Sequence, residues 1–266
     1  AFMQREFAVA LDPVTEVNHC IGSKTAYAML PAAFINPGDV TLMTVPGYPV
    51  AGTATKWFGG TVHPLPLLPE NGFLPDLERI PADVLARTKL LVLCYPNSPT
   101  GRTATREFYE RVVAWAHRHR VVVIVDAAHM MLSYDDEPLS FLSIDGAKEV
   151  GLEVHSMSKG FHMIGWRMGW VCGHERLCGP LPTLKTTATQ ASSSRSRRRP
   201  PRRWPTRRSP ALSVRSIAAA SRSSWVCYGR PDSTARCPAA PTFSTRRAPS
   251  APAIERLPRP RRPASS

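Results

Sequence analysis

The sequence has no run of about eighteen or more apolar residues, the length that a membrane-spanning helix needs. The charged residues Arg5 and Glu6 come too early for the apolar segment of a secretory signal. The six cysteines form no CxxC pair and no dense framework. Four of them lie in apolar or strand-like surroundings, where we expect buried free thiols rather than a metal or disulfide site. These absences favour a protein of the reducing cytoplasm, with no membrane partner and no metal.

Acidic residues are almost missing from the last third of the chain. The whole sequence carries 34 Lys and Arg against 20 Asp and Glu, which gives a net charge of +14. About nineteen of the basic residues and about two of the acidic ones lie in residues 182–266. Residues 1–181 are therefore slightly acidic, and the positive charge belongs to the rest of the chain.

Residues 1–181 alternate between helical patterns and short apolar runs. We predict helices at Thr25–Ile35 and Thr105–Arg120, the second because its apolar residues share one face. The predicted strands are Val40–Val45, Val62–Leu68, Leu90–Leu93, Val121–Val125, a strand that includes Val154, and Gly169–Cys172. Two prolines make Val62–Leu68 an edge strand or an extended segment. Apolar strands separated by helices predict an α/β fold, a three-layer sandwich with a mainly parallel central sheet.

Polar residues follow several of the predicted strands directly. In a parallel sheet, ligands bind beyond the carboxyl ends of the strands, so these positions mark a candidate site. They are Tyr48, Asn97, Asp126 and Ser156–Lys159.

Three features near these strand ends suit an aldehyde that carries a phosphate. Lys159 lies in a serine-rich turn and could hold the aldehyde as a Schiff base. Arg167, eight residues further on, could pair with a phosphate. Gly22-Ser23-Lys24 begins a predicted helix, whose backbone N–H groups and dipole favour an anion. Taken alone, the lysine could be a solvated surface charge and the arginine a surface packing residue.

The candidate residues fall into four motifs with a specific order along the chain. These motifs are Gly22-Ser23-Lys24, Tyr95–Gly101 (YPNSPTG), Asp126-Ala127-Ala128-His129, and Ser156–Gly160 followed by Gly165–Gly169. In this order and spacing they resemble the fold-type I, pyridoxal-phosphate-dependent aminotransferases of class I/II. The stretches GSKTAYAMLPAAFINPGD, LVLCYPNSPTG and VHSMSKGFHMIGWRMGW look like the branch of LL-diaminopimelate and aspartate aminotransferases. The resemblance implies that residues 1–181 are the pyridoxal-phosphate-binding large domain, without the amino-terminal stretch that precedes it in the family.

The resemblance also implies a role for each residue around the cofactor ring. Lys159 matches the Schiff-base lysine, which also carries the proton between substrate and cofactor. Asp126 matches the carboxylate that pairs with the pyridine nitrogen and keeps it protonated. Asn97 matches the amide that donates to the phenolic oxygen, and Tyr48 matches the aromatic residue stacked on the ring. His129 stands where many relatives have a tyrosine donor; it could still donate to that oxygen or be an ordinary histidine at a strand end.

The implied phosphate site consists of Arg167, Ser156 and the backbone around Ser23 and Lys24. The implied substrates are an amino acid and a 2-oxo acid, and the intact family member is expected to be a homodimer. A lyase or decarboxylase of the same fold would use the same residues, so these activities remain alternatives at this point.

Residues 182–266 lack the alternation of helices and strands. They are rich in Arg, Pro and Ser, as in SSRSRRR at 193–199, and predict a disordered basic tail. One explanation is a tail that binds nucleic acid through phosphates, although it lacks interleaved aromatic residues and therefore predicts no specific nucleic-acid partner. The other explanation is translation in the wrong reading frame of a GC-rich gene.

A one-base offset near Lys185 supports the second explanation. In the offset frame, residues 186–199 can read DNGDPGQFIAIQKA and residues 237–245 can read MPGGTYFLY. Both readings resemble segments of the family, in family order. The arginine of the small domain that holds the substrate carboxylate would then be lost, so we expect the printed chain to be impaired. The nucleotide sequence covering residues 175–200 tests this hypothesis, and an intact frame would contradict it.

Overall fold

The computed structural model describes residues 1–133 and 137–182, and within them one sheet organises the fold. Its strands are β1 (Val17–Cys20), β2 (Val40–Val45), β3 (Thr61–Pro66), β4 (Thr88–Cys94), β5 (Val122–Asp126), β6 (Gly151–Ser156) and β7 (Gly169–Gly173). The spatial order is β1-β7-β6-β5-β4-β2-β3. Strands β2 to β6 pair in parallel, whereas β7 is antiparallel to both β6 and β1. The predicted mainly parallel sheet is therefore confirmed, and the proline-containing β3 is an edge strand as expected.

Helices connect these strands and cover the sheet. They are α1 (Phe2–Phe7), α2 (Ser23–Phe34), α3 (Val50–Trp57), α4 (Ala82–Arg87), α5 (Arg106–His119), α6 (Ala147–Val150) and α7 (Glu175–Cys178), with single 3₁₀ turns at Pro69–Asn71, Met130–Leu132, Phe141–Ser143 and Ile164–Trp166. Helix α5 starts as the sequence predicts, because the Thr105 hydroxyl accepts a hydrogen bond from the Phe108 N–H at 3.2 Å. It ends at Arg120, whose φ of 55° stops the helix. None of these helices is long and apolar enough to span a membrane.

The core has two layers, one on each face of the sheet. Successive side chains of a strand point to opposite faces, so Leu91 and Leu93 join the cluster under α5, while Leu90 and Val92 join the cluster under α2. Because both faces are covered, the described domain is the expected three-layer α/β sandwich. The four described cysteines are buried, as predicted; they are Cys20, Cys94, Cys172 and Cys178. The predictions for residues 183–266 lie outside the described residues.

Strand β6 carries a buried polar network on its α5 side. The Glu153 carboxylate accepts hydrogen bonds from the Ser140 hydroxyl at 2.9 Å and from the Phe141 N–H, and it lies 3.0 Å from His155 Nε2. Potential ligand atoms of Glu153, His155 and Cys172 lie within 4.8 Å of one another. Burial raises the pKa of the Cys172 thiol well above its ordinary value, and the Glu153 charge adds to this effect. Both carboxylate oxygens already have protein partners, so the network is a satisfied structural element.

Candidate functional site

The candidate residues meet at one edge of the sheet because parallel strands end there together. The β4–β5 register pairs Cys94 with Asp126, and the β5–β6 register pairs Asp126 with Val154. Asp126 is the last residue of β5, and Lys159 lies on the surface three residues beyond the end of β6. The loops that leave neighbouring strands therefore present a buried carboxylate and an exposed amine at the same sheet edge.

Asp126 forms the buried acidic end of the site. Its side chain is only 6% exposed, and its Oδ1 accepts a hydrogen bond from the Ala128 N–H at 3.0 Å. Burial raises the pKa of this carboxyl group from 3.8 to about 6, although the Ala128 N–H and the charge of His155 oppose the shift. The negative charge of Asp126 also affects its neighbours. Burial is the larger cause of the raised pKa values of Tyr48 and Cys94, and the Asp126 charge is the second cause. The pKa of the Cys94 thiol rises to about 12.

Asn97 fastens the segment that carries Tyr48. Its Nδ2 donates to the Pro46 carbonyl at 3.2 Å, and its Oδ1 accepts from the Thr100 N–H and hydroxyl at 3.2 and 2.8 Å. An amide nitrogen has two hydrogens, and only one is used in these contacts. The second has no partner among the described residues, while the first links Asn97 to Pro46, two residues before the half-exposed ring of Tyr48.

The strand register also aligns the residues of the predicted phosphate site. Gly169 of β7 lies opposite Ser156 of β6 on one side and opposite Cys20 of β1 on the other. A Cβ at Gly169 would lie 3.1 Å from the Ser23 nitrogen, so glycine allows the start of α2 to approach β7 closely. Ser156 accepts a hydrogen bond from the Ser158 N–H at 3.1 Å and lies in the same row.

Gly22 and Arg167 make the closest approach in this part of the site. Gly22 precedes α2 with φ 70° and ψ 159°, and no side chain caps the helix. A Cβ at Gly22 would lie 2.4 Å from Arg167 Nη2, so only glycine lets the guanidinium reach the helix N-terminus. A helix N-terminus and a guanidinium together bind an anion well. Tyr48 lies near this group, since the Arg167 charge opposes the rise of its pKa.

His129 lies close enough to Lys159 for the lysine charge to act on it. Burial lowers the pKa of His129, and the positive charge of Lys159 lowers it further. The His129 Nδ1 is buried and has no hydrogen-bond partner among the described residues. Lys24 differs from the other candidates: its side chain is exposed and forms no hydrogen bond or ion pair with any of them within the described ranges.

Sequence analysis missed Tyr27 as a neighbour of the site. This residue of α2 is 2% exposed, and its ring meets that of Tyr48 edge-to-face with centroids 6.1 Å apart. The Asp126 charge raises its pKa, after the larger effect of burial. Only its position one turn beyond Ser23 on the buried side of α2 could have signalled it.

The fold and the site together define an α/β domain in which a guanidinium lies at a helix N-terminus, and a buried carboxylate and an exposed lysine lie at the same edge of the sheet. Residues 1–196 match the model of the family "Aminotransferase class I and II". Because this match covers most of the chain, the chain belongs to that family, and the resemblance inferred from the sequence motifs is confirmed.

Named relatives agree with this assignment. The chain is 56% identical over 185 residues to the LL-diaminopimelate aminotransferase of Methanocaldococcus jannaschii; this alignment covers 69% of this chain and 44% of the relative. It is 48% identical over 184 residues to the enzyme of the same name from Syntrophobacter fumaroxidans; this alignment covers 69% of this chain and 47% of the relative. The chain therefore spans less than half the length of these curated relatives.

Solved structures give the same fold. Substrate-bound BacF from Bacillus subtilis matches with a TM-score of 0.68 and 38% identity, over 70% of this chain and 48% of BacF. A double mutant of the aspartate aminotransferase of Thermus thermophilus matches with a TM-score of 0.73 and 27% identity, over 83% of this chain and 57% of that protein.

Proposed function

We propose that the described domain is the cofactor-binding half of a pyridoxal-phosphate-dependent aminotransferase, which moves an amino group between an amino acid and a 2-oxo acid. The observation that carries the proposal is the grouping of Arg167, the N-terminus of α2 and the buried Asp126 around the loop of Lys159. Family membership and relatives named as aminotransferases support it.

The described residues fit pyridoxal phosphate at three points. Because Gly22 has no Cβ, the Arg167 guanidinium can lie next to the N-terminus of α2. This arrangement suits a phosphate bound at the helix N-terminus. The orphaned Nδ1 of His129 and the free amide hydrogen of Asn97 suit polar groups on the ring. The buried carboxylate of Asp126 suits a protonated ring nitrogen, because a buried anion needs a cationic partner.

Pyridoxal phosphate, when bound, supplies an electron-accepting ring and an aldehyde that takes up amino groups. Asp126 would hold the ring nitrogen and keep its proton in place, while Tyr48 would cover one face of the ring. Arg167 and the N–H groups of α2 would hold the phosphate and so fix the register of the ring. Lys159, which ends in a mobile primary amine, would anchor the aldehyde and move a proton at the substrate Cα.

We infer LL-diaminopimelate or aspartate as the amino donor. The inference depends on the names of the relatives, of which the one from Methanocaldococcus jannaschii is 56% identical over 185 residues. The homodimer expected from the family, the disorder of residues 182–266 and their out-of-frame origin stay predictions. So does the impaired activity of the chain as printed.

Removal of the Lys159 amine tests the proposal. The full chain is incubated with pyridoxal phosphate and separated from free cofactor, and its visible absorbance is recorded. We expect a protein-bound visible band that Lys159→Ala abolishes, because no other amine would replace Lys159 at this position. Lys89→Ala, which removes another exposed lysine, is the matched control and should keep the band.

An equal band in Lys159→Ala and in the control would contradict the assignment. The reaction class is tested by product formation with and without an added amino acceptor. Formation of a 2-oxo acid that depends on an added amino acceptor supports transamination, whereas formation without an acceptor indicates a lyase or decarboxylase.

A further inference from the structure

Tyr27 and Asp126 lie on the same side of the sheet. Ile124 of β5 is buried in the cluster under α2, which also contains Tyr27. Asp126 follows Ile124 by two residues, and because side chains alternate along a strand, it points to the same side. The carboxylate at the end of β5 is therefore directed towards the helix that carries Tyr27.

Tyr27 lies between the start of α2, which belongs to the proposed phosphate site, and Tyr48, which is predicted to stack on the cofactor ring. It lies one helical turn after Ser23, so the two residues are on the same side of α2. Its ring packs edge-to-face against that of Tyr48, the aromatic residue predicted to cover the cofactor. A displacement of α2 by a bound phosphate would therefore be transmitted to Tyr27 and Tyr48 together.

The hydroxyl of Tyr27 is buried and has no hydrogen-bond partner of ordinary length among the described residues. Leaving a buried hydroxyl without a hydrogen bond destabilises the folded state, so each such group in a folded protein calls for an explanation. The Tyr27 hydroxyl is close enough to the Asp126 carboxylate for each group to shift the pKa of the other: Asp126 raises the pKa of Tyr27, and Tyr27 lowers the pKa of Asp126. Asp126 Oδ1 is engaged by the Ala128 N–H, which leaves acceptor capacity on the carboxylate for a second donor.

Other titratable groups near Asp126 do not offer such a donor. They are Cys94 from β4, Tyr48 from the loop after β2, and His155 from β6. The Cys94 thiol lies 3.8 Å from the Pro96 carbonyl, and His155 is engaged with Glu153. Tyr48 is 39% exposed, so its hydroxyl can form hydrogen bonds with water instead of with Asp126.

We propose that Tyr27 is a positioning residue: its hydroxyl donates a hydrogen bond to the Asp126 carboxylate and directs it, as an anion, at the ring nitrogen of the cofactor. A hydrogen bond donated to a carboxylate favours the charged form, which burial alone disfavours. The inference rests on the proposed function for the identity of the ring, but the contact between the two side chains can be tested without any cofactor.

Tyr27→Phe removes the hydroxyl and keeps the ring, so packing against Tyr48 is preserved. In the cofactor-free full chain, the carboxyl band of Asp126 is followed by infrared spectroscopy as a function of pH, and Asp126→Asn identifies the band. We expect the pKa of Asp126 to rise in Tyr27→Phe. An unchanged pKa overturns the proposal.

Tyr95→Phe is the matched control. It also removes a buried tyrosine hydroxyl, but that hydroxyl donates to the Phe73 carbonyl at 2.9 Å. We expect it to leave the Asp126 titration unchanged, and an equal shift in both variants overturns the specific contact. Incorporation of 3-fluorotyrosine in place of Tyr27 keeps the packing and provides a more acidic donor, so it should lower the pKa of Asp126. A change in the same direction as in Tyr27→Phe would indicate packing alone and overturn the proposal.

The second readout is the affinity for pyridoxal phosphate, measured by fluorescence titration. Loss of one hydrogen bond to a charged group should weaken binding about tenfold in Tyr27→Phe. In the Asp126→Asn background the same change should have no effect, because the two residues act through one contact. Equal losses in both backgrounds overturn the proposal. If the unmodified chain does not bind the cofactor at all, the proposed function fails, while the infrared titration still decides the role of Tyr27.

Discussion

Gly22→Ala is expected to weaken phosphate binding by displacing Arg167. The added Cβ would lie 2.4 Å from Arg167 Nη2 and 3.0 Å from its Cζ. Ordinary contacts of a Cβ are 3.4–4 Å, so the guanidinium has to move by about 1 Å or more. The backbone of Gly22, with φ 70° and ψ 159°, is in addition a conformation that only glycine adopts readily.

Two magnitudes follow from this geometry. The backbone strain should lower the free energy of unfolding by about 1–3 kcal/mol. Loss of a hydrogen bond between charged groups costs about 1.5–3 kcal/mol, which corresponds to a roughly 10- to 150-fold higher dissociation constant for the phosphate-bearing ligand. Pyridoxal, which lacks the phosphate, should bind equally well to the variant and to the unmodified chain.

The assay is a fluorescence titration of each protein with pyridoxal phosphate and with pyridoxal. Gly38→Ala is the matched control, because Gly38 also has a positive φ, of 90°, but has no atom within 4 Å of the position of a Cβ. The control should lose stability through strain and keep its affinity for pyridoxal phosphate. Equal affinities of the two variants for pyridoxal phosphate, or an equal loss for pyridoxal, would refute the assignment of Gly22 and Arg167 to the phosphate.

Two further predictions concern buried carboxylates. Because burial raises the pKa of Asp126 from 3.8 to about 6, the folded cofactor-free protein binds this proton more tightly than the unfolded chain does, and it should lose about 3 kcal/mol of stability as the pH rises from about 4 to above 6. Denaturant titrations across this range should show that Asp126→Asn removes the loss, and an unchanged pH slope in the variant would contradict the prediction. Glu153→Ala should lower the free energy of unfolding by about 3–5 kcal/mol, because Ser140 and His155 lose a buried partner. Urea denaturation measures this, Glu153→Gln should cost less, and a cost below about 1 kcal/mol for the alanine variant would count against it.

The strands of the sheet centre were predictable because their residues are apolar on both faces. Leu90–Leu93 and Val121–Val125 are continuous apolar runs; the first lies within β4, and all of the second except Val121 lies within β5. The direction of Gly169–Gly173 could not be predicted for the same reason. All residues of this strand are buried, so its sequence does not alternate between apolar and polar residues and does not indicate antiparallel pairing.

Elements with weak patterns were missed. Helix α3 consists mostly of small and β-branched residues, and it is held by the burial of Ala51 and Ala54 rather than by helix propensity. Strand β1, with the sequence VNHC, is only partly buried at an edge of the sheet. Such elements form because neighbouring elements provide a surface for them, which sequence patterns do not show.

Residues of the candidate site could be predicted where the order of the strands determines their position, but not where the packing of a helix against the sheet determines it. Asp126 and the loop of Lys159 follow from the rule that ligands bind at the carboxyl ends of parallel strands. The approach of Arg167 to Gly22, and the place of Tyr27 beside Asp126, depend on how α2 lies against the sheet. The roles of these residues in binding pyridoxal phosphate stay predictions.

The sheet order has a consequence for synthesis on the ribosome. Strand β1 is paired with β7 alone in the described sheet, and β7 follows it about 150 residues later. At about 5–20 residues per second, β7 is synthesised roughly 8 to 30 seconds after β1, and only then can the two strands pair. A similar interval separates Gly22 from Arg167, so the proposed phosphate site is complete in a growing chain only after Arg167 has left the exit tunnel.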